Sequence, residues 1–300
     1  MASVETVGVI GLGIMGGAIA RNLVRDGVRV VGFDLDPDRS TEAQEAGVTI
    51  VKSAGAVGSA ADCALTSLPS PEALDHTARA LADLPESERQ GLVIAELSTL
   101  SLECKVRNRD VLADVGVVLL DCPLSGSGAQ AAVGDLVVYA SGDAAAFARS
   151  EDVFAGFARA ARYLGEFGVG TKMKLVANLL VAVHNVAAAE AIQLGVRAGL
   201  DPSTLCEVLG SGAGGSRMFE LRAPLMVNEK YEPATMKLDV WKKDMTLIRE
   251  LAESCGVATP LFSATEPLYE AAVAAGRGHE DTAAVYEALK DLGLPEKTEM

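Results

Sequence analysis

Histidine, paired cysteine and positive charge are all scarce in this chain. The three histidines, His76, His184 and His279, lie far apart and show no ligand spacing, so no metal site is expected. Cys63, Cys104, Cys122, Cys206 and Cys255 are odd in number and contain no C-x-x-C, which argues against a disulfide framework and for reduced thiols in a cytoplasmic protein. Against 41 acidic residues stand only 26 basic ones, a formal net charge of -15. Such a chain repels nucleic acid and anionic membrane, so neither is expected as a partner, and an acidic substrate would need a local basic residue. The start, MASVETVGVIGLG, lacks the basic n-region of a signal peptide and runs straight into a strand. Aromatics make up only 4% and prolines number only 11, yet 49% of the 300 residues are apolar, which is ample for one large or two medium domains.

What is present begins with a strand over 6–10, the turn Gly11-Leu12-Gly13-Ile14-Met15-Gly16, and a helical pattern that stops at Gly27. In a strand, glycine turn and helix of this kind, the first glycine makes the turn and the second lets a pyrophosphate approach the backbone. The third allows helix to pack closely on strand, and the helix N-terminus offers free N–H groups to phosphate. The next strand, over 28–33, ends in Asp34, where a carboxylate bonds ribose hydroxyls and repels a 2′-phosphate. NAD is therefore the expected cofactor, with NADP as the alternative. Arg39 is near enough in sequence to meet a phosphate; its other reading is a solvated arginine at a helix start.

Alternation of strand and helix continues through 47–51, 62–68, 71–84 and 92–97. Ser98-Thr99 then places hydroxyls at a strand end, where doubly wound sheets bind ligands and where either residue could also cap the next helix. A strand over 117–120 leads into DCPLSGSGAQA, residues 121–131, which reads either as an anion cradle or as a plain loop. Strands over 136–141 and 161–164, with a helix over 144–158 between them, complete an α/β domain ending near residue 166.

Gly168 to Asn178, GVGTKMKLVAN, opens a helix expected over 171–199, about 29 residues and roughly 43 Å long. At about 100° per residue, Lys174, Asn178 and Asn185 fall within roughly 40° of one another, while Lys172 projects to the opposite side. The stretch is apolar enough to raise a membrane question, but Asn178, His184, Asn185, Glu190, Gln193 and Arg197 interrupt it, so it reads as a buried helix of a soluble protein. Further helices are expected over 202–209, 217–227, 233–255, 260–275 and 281–292, with no strand among them.

Taken in order, these motifs resemble the β-hydroxyacid dehydrogenase family, which includes 3-hydroxyisobutyrate dehydrogenase, tartronate semialdehyde reductase and, more distantly, 6-phosphogluconate dehydrogenase. GLGIMGGAIARNL looks like the family's cofactor signature, DCPLSGSGAQA like its substrate loop, GVGTKMKLVAN like its catalytic segment, and Lys243-Asp244 in WKKDMTLI like its lysine–aspartate pair. The resemblance covers almost the whole chain. It implies a Rossmann-type N-terminal domain over 1–166 and an all-α substrate and oligomerisation domain over 167–300, joined by a long interdomain helix. It further implies that Lys174 transfers the proton and that Asn178 orients the substrate. Ser125, Gly126 and Ser127 would hold a carboxylate, and Lys243 would serve both substrate and nicotinamide. The candidate cofactor set is Gly11, Gly13, Ile14, Met15, Gly16, Asp34, Leu68, Pro69, Thr99 and Lys243. Ser127 in place of the loop's second glycine, Ala177 where relatives carry Asn or His, and Glu96 where many have Asp depart from the family pattern and bear on the choice of acid.

The reaction implied is hydride transfer between nicotinamide and the hydroxyl-bearing carbon of a short hydroxy acid, with Lys174 as general acid and base. An exposed lysine with pKa near 10.4 is a poor base at neutral pH; burial and a positive nicotinamide would lower that value, and a substrate carboxylate would oppose the shift. Two other readings stand on the same scaffold: an imine- or aldehyde-reducing relative, and a non-catalytic dinucleotide-binding platform. Lys174 argues against the first, and Lys174, Asn178 and Asp34 together against the second. Lys243 could also be a surface partner of Asp244, Arg217 a solvated arginine, and His184 a core or interface residue. A long apolar helix with few aromatics needs partners on most faces, so a homodimer or homotetramer is expected.

Overall fold

The computed structural model describes residues 4–292. The chain divides into two compact units between Lys174 and Leu175. In the first unit, β1 (Thr6–Ile10), α1 (Ile14–Arg25), β2 (Arg29–Phe33), α2 (Pro37–Glu45), β3 (Thr49–Ile50), α3 (Ala54–Ala60) and β4 (Cys63–Thr66) alternate as the sequence predicts. They are followed by α4 (Pro71–Ala82), α5 (Glu86–Arg89), β5 (Val93–Glu96), α6 (Leu102–Ala113) and β6 (Val118–Asp121). The six strands form a parallel sheet in the order β3-β2-β1-β4-β5-β6. The order reverses between β1 and β4, the switch point at which doubly wound sheets open toward a ligand.

Residues of the central strands β1, β4 and β5 are buried on both faces, as a parallel sheet covered by helices requires. Val7, Val9, Leu65 and Ala95 pack with Ile19 and Leu23 of α1 on one side, while Ile10, Ala64 and Ile94 pack with Val57, Leu81 and Leu112 on the other. Each fully buried leucine or isoleucine contributes about 1.5–3 kcal/mol through removal from water.

A second, three-stranded sheet completes the unit. It is made from β7 (Leu124–Ser125), β8 (Val137–Ala140) and β9 (Ala160–Tyr163), with α7 (Gly128–Ala132) after β7 and α8 (Ala144–Ala155) after β8. Segment 121–131 is thus not a plain loop. Leu124 and Ser125 pair antiparallel with Val138 and Val137. Ser127 caps α7 reciprocally with Gln130, whose Oε1 accepts the Ser127 backbone N–H at 3.0 Å.

Helix α9 runs over Val169–Arg197, two residues earlier at each end than expected. The second unit gathers its own core around Ala182, Ala189 and Ile192 of this helix, with Phe219, Met226, Trp241, Phe262 and Val285. Among the described residues α9 is the one helix long and apolar enough to cross a membrane, and this packing accounts for part of its apolarity. The remaining helices are α10 (Pro202–Ser211), α11 (Arg217–Val227), α12 (Leu238–Ser254), α13 (Pro260–Ala272) and α14 (Val285–Asp291). The helix expected from residue 233 begins only at Leu238. Thr235 and Met236 give their N–H groups to Asp281 Oδ2 at 2.8 and 3.2 Å, and Lys237 forms a bridge with Asp281, so 235–237 are drawn out of helical geometry. The helix expected to reach residue 275 stops being α-helical at Ala272, where a π-turn follows with Gly276 at φ 85°.

Candidate functional site

Three glycines shape the turn after β1. Gly11 has φ +90° and a methyl there would lie 2.2 Å from Ser67 O; a methyl on Gly16 would lie 1.9 Å from Gly11 O. Both positions exclude any side chain. Gly13 differs, because a methyl there meets nothing within 4 Å. It faces open space at the N-terminus of α1, a helix with no side-chain cap, so the first-turn N–H groups of Ile14 and Met15 remain for a ligand. Ile14 is exposed and Met15 half-buried.

Asp34 stands just past β2 and is half-buried. Its Oδ2 accepts the Leu12 N–H at 2.6 Å and its Oδ1 the Asp36 N–H at 2.8 Å, which ties the carboxylate to the glycine turn. These features fit the pyrophosphate and ribose of a dinucleotide. Arg39 is paired with Glu42 at 3.1 Å and solvated.

Beyond β4, Leu68 is half-buried and Pro69 exposed. The Leu68 N–H donates to Ser98 Oγ at 2.8 Å, while the Ser98 N–H donates to Glu96 Oε1 at 2.9 Å. Neither Ser98 nor Thr99 caps the following helix: Ser101 does, accepting the Cys104 N–H. Thr99 is half-buried at the strand end. The segment carrying Ser125, Gly126 and Ser127 is half-buried and lies against α1, where Asn22 Nδ2 donates to Ala131 O at 2.7 Å and Ile14 lies beside Gly128. Gly126 has φ +140°, and a methyl there would strike Leu136 Cδ2 at 2.6 Å.

A fully buried charge cluster sits at the ends of β5 and β6. Lys105 Nζ lies 2.6 Å from Glu96 Oε2 and 2.8 Å from Asp121 Oδ1. Burial alone would pull the Lys105 pKa down, but the two carboxylates outweigh it and hold the ammonium above the ordinary lysine value. Sequence reasoning overlooked Lys105. The available signal was its place on the buried stripe of α6, with Cys104, Asn108 and Leu112.

On α9, Lys174 is 8% exposed and Asn178 3% exposed, one helical turn apart, whereas Lys172 is exposed. In the second unit Asn178 Nδ2 donates to Asp244 Oδ2 at 2.9 Å, and Lys243 Nζ lies 3.2 Å from Asp244 Oδ1. Asn185, on the same stripe, instead donates to Tyr269 Oη and Thr282 O and belongs to the core of that unit. His184 is half-buried, Glu190 is exposed, and Arg217 pairs with Glu220 at the surface. Among the described residues no group of three or more metal-ligating side chains converges.

The doubly wound sheet and its glycine turn have the form of a dinucleotide-binding domain. Residues 6–165 match the NAD-binding domain of 6-phosphogluconate dehydrogenase, and residues 168–289 match the NAD-binding domain of NADP-dependent 3-hydroxyisobutyrate dehydrogenase. An L-threonate dehydrogenase of Cupriavidus necator is 35% identical over 297 residues, covering 98% of this chain and 99% of that protein. The crystal structure of a 3-hydroxyisobutyrate dehydrogenase from Salmonella typhimurium superposes with a TM-score of 0.83 at 30% identity, covering 94% of this chain and 99% of the other. An imine reductase from Pseudomonas sp. shares the fold alone, with a TM-score of 0.61 at 18% identity over 95% of this chain and 99% of the other. The chain belongs to the β-hydroxyacid dehydrogenase family, NAD(P)-dependent enzymes acting on CH–OH groups.

Proposed function

We propose that this enzyme interconverts a short hydroxy acid, of the class of 3-hydroxyisobutyrate, glycerate or threonate, and its oxo form, with NAD preferred over NADP and with Lys174 as the proton-transfer group. The observation that carries the reading is a lysine only 8% exposed, one turn before an asparagine only 3% exposed, at the opening of α9. The kinship to an L-threonate dehydrogenase and a 3-hydroxyisobutyrate dehydrogenase supports the substrate class.

In this reading Gly11, Gly13, Ile14, Met15 and Gly16 receive the pyrophosphate, Asp34 the ribose, and Leu68, Pro69 and Thr99 the remainder of the cofactor. A nicotinamide held there would supply the hydride acceptor for oxidation and the hydride donor for reduction. Lys174 takes the substrate hydroxyl proton as the C–H electron pair departs, and returns it to the alkoxide in the reverse direction. Asn178 is assigned to orientation: one Nδ2 hydrogen goes to Asp244, and the second can donate to the substrate hydroxyl oxygen, whose own proton goes to Lys174. Ser125, Gly126 and Ser127 are assigned to the carboxylate, and Lys243 to substrate and nicotinamide. The preference for NAD rests on Asp34, whose negative charge repels a 2′-phosphate. We assign the first compact unit, which runs to Lys174, to the cofactor and the second to the helical domain, the protein to the cytoplasm, and its working form to a homodimer or homotetramer.

The test is a panel of 3-hydroxyisobutyrate, glycerate, threonate and 3-hydroxypropionate with NAD and NADP, followed by NAD(P)H absorbance for the parent and Lys174→Ala. The parent is expected to turn over at least one acid faster with NAD. Lys174→Ala should keep cofactor binding and lose about 10²–10⁴-fold in kcat. Near-parental kcat in that variant would sink the assignment.

A further inference from the structure

The residue before α9 is Gly168, at φ +94°, which has no side chain with which to cap the helix. Two strand ends supply the cap instead. The Gly170 N–H donates to Ser141 Oγ at 2.9 Å and the Thr171 N–H to Asp121 Oδ2 at 2.7 Å. Thr171 adds a second bond from its hydroxyl to Asp121 Oδ1 at 2.8 Å, and Ser141 Oγ donates to Asp121 Oδ2 at 3.2 Å.

The fit leaves no room to slide: a methyl on Gly170 would lie 2.2 Å from Tyr139 O and 2.8 Å from Asp121 O. Asp121 is itself held by Lys105, which is held by Glu96. Two carboxylates against one ammonium leave one negative charge in excess. It faces the N–H end of α9, the end at which the helix dipole and charge-assisted hydrogen bonds favour an anion. Thr171 and Lys174, three residues apart, lie on one face of the helix.

We propose that this buried cluster positions the proton-transfer group, with Thr171 as the positioning residue. The backbone cap sets how deeply the first turn of α9 seats on the strand ends. The additional side-chain bond from Thr171 sets the rotation of that turn about its axis, and so the direction in which Lys174 leaves it. A cluster serving stability alone would be complete with the ion pairs and the backbone cap. Placement matters to rate because small displacements from the reactive geometry cost large factors in turnover.

The proposal rests on Lys174 as the proton-transfer group, and the experiment separates the two claims. Full-length Thr171→Val, Thr171→Ser and Lys174→Ala are compared with the parent by steady-state kinetics on the four acids with NAD, by NADH titration and by thermal unfolding. Thr171→Val keeps the shape and the backbone N–H and replaces the hydroxyl by a methyl. Its kcat is expected to fall about tenfold, with KM and cofactor Kd within about twofold of the parent, and Thr171→Ser to recover most of the loss. Two results overturn the proposal: kcat within about twofold of the parent in Thr171→Val, or a loss matched by equal losses of cofactor affinity and melting temperature that serine does not rescue. Should Lys174→Ala lose turnover while Thr171→Val does not, the positioning role alone falls; should Lys174→Ala stay active, the general acid and base reading falls first.

Discussion

At Gly11, Gly13 and Gly16 one residue type meets different physical demands. Gly11 needs a positive φ and, with Gly16, the absence of any atom where backbone oxygens already lie; a methyl on Gly13 would meet nothing within 4 Å. The consequences of adding one methyl therefore diverge. Gly13→Ala should melt within about 2 °C of the parent and yet bind NADH about tenfold more weakly, a loss of about 1.4 kcal/mol. Gly16→Ala should lose stability itself, by about 1–3 kcal/mol, since the turn must shift to admit the new carbon. Calorimetry and fluorescence titration on the two variants separate the effects. Equal cofactor affinity in Gly13→Ala and the parent would remove the pyrophosphate from that position.

Among the elements, those fixed by local chemistry were legible and those fixed by distant partners were not. The glycine turn, Asp34, and the separation of Lys174 from Lys172 follow from spacing within one strand-turn-helix unit or one helix. Strand β7 exists only because β8 pairs with it, and residues 235–237 leave the helix where Asp281 accepts the Thr235 and Met236 N–H groups and bridges to Lys237. Helix α7 was readable, since Ser127 and Gln130 form a capping box at the usual spacing. Lys105 was the costliest omission, because a lysine on an apolar stripe must have buried counter-charges, and Glu96 and Asp121 already stood at neighbouring strand ends. Lys105→Met should cost about 3–5 kcal/mol in urea unfolding at pH 7, since it strands two buried carboxylates. The raised Lys105 pKa gives stability that is complete below the unfolded lysine value near 10.4 and is lost as pH climbs through the folded one. An unchanged urea midpoint in Lys105→Met would show the cluster to be dispensable for folding.

For the molecule as a whole, the apolar excess of α9 is only partly spent on its own core. Val176, Leu180 and Leu194 remain 53%, 49% and 73% exposed, and their spacing sets them within about 40° on one face of the helix. Light scattering at micromolar concentration should give a mass above that of one chain, and Leu180→Glu with Leu194→Glu should lower it toward the monomer. A monomeric parent would remove α9 as an assembly surface. The overall plan, a doubly wound sheet followed by helices, was legible from the change in hydrophobic period near residue 166.

The seam in hydrogen bonding, however, does not coincide with the seam in sequence. Gly170 and Thr171 belong to the helical run, yet their N–H groups are satisfied by Ser141 and Asp121. A piece of the chain beginning at residue 167 would leave its first helical turn to water, and a piece ending at 166 would bury Asp121 without its Thr171 donors. Recombining halves of related enzymes, or dissecting this one by proteolysis, should therefore cut on the far side of Lys174, so that the turn carrying the lysine travels with the strands that hold it.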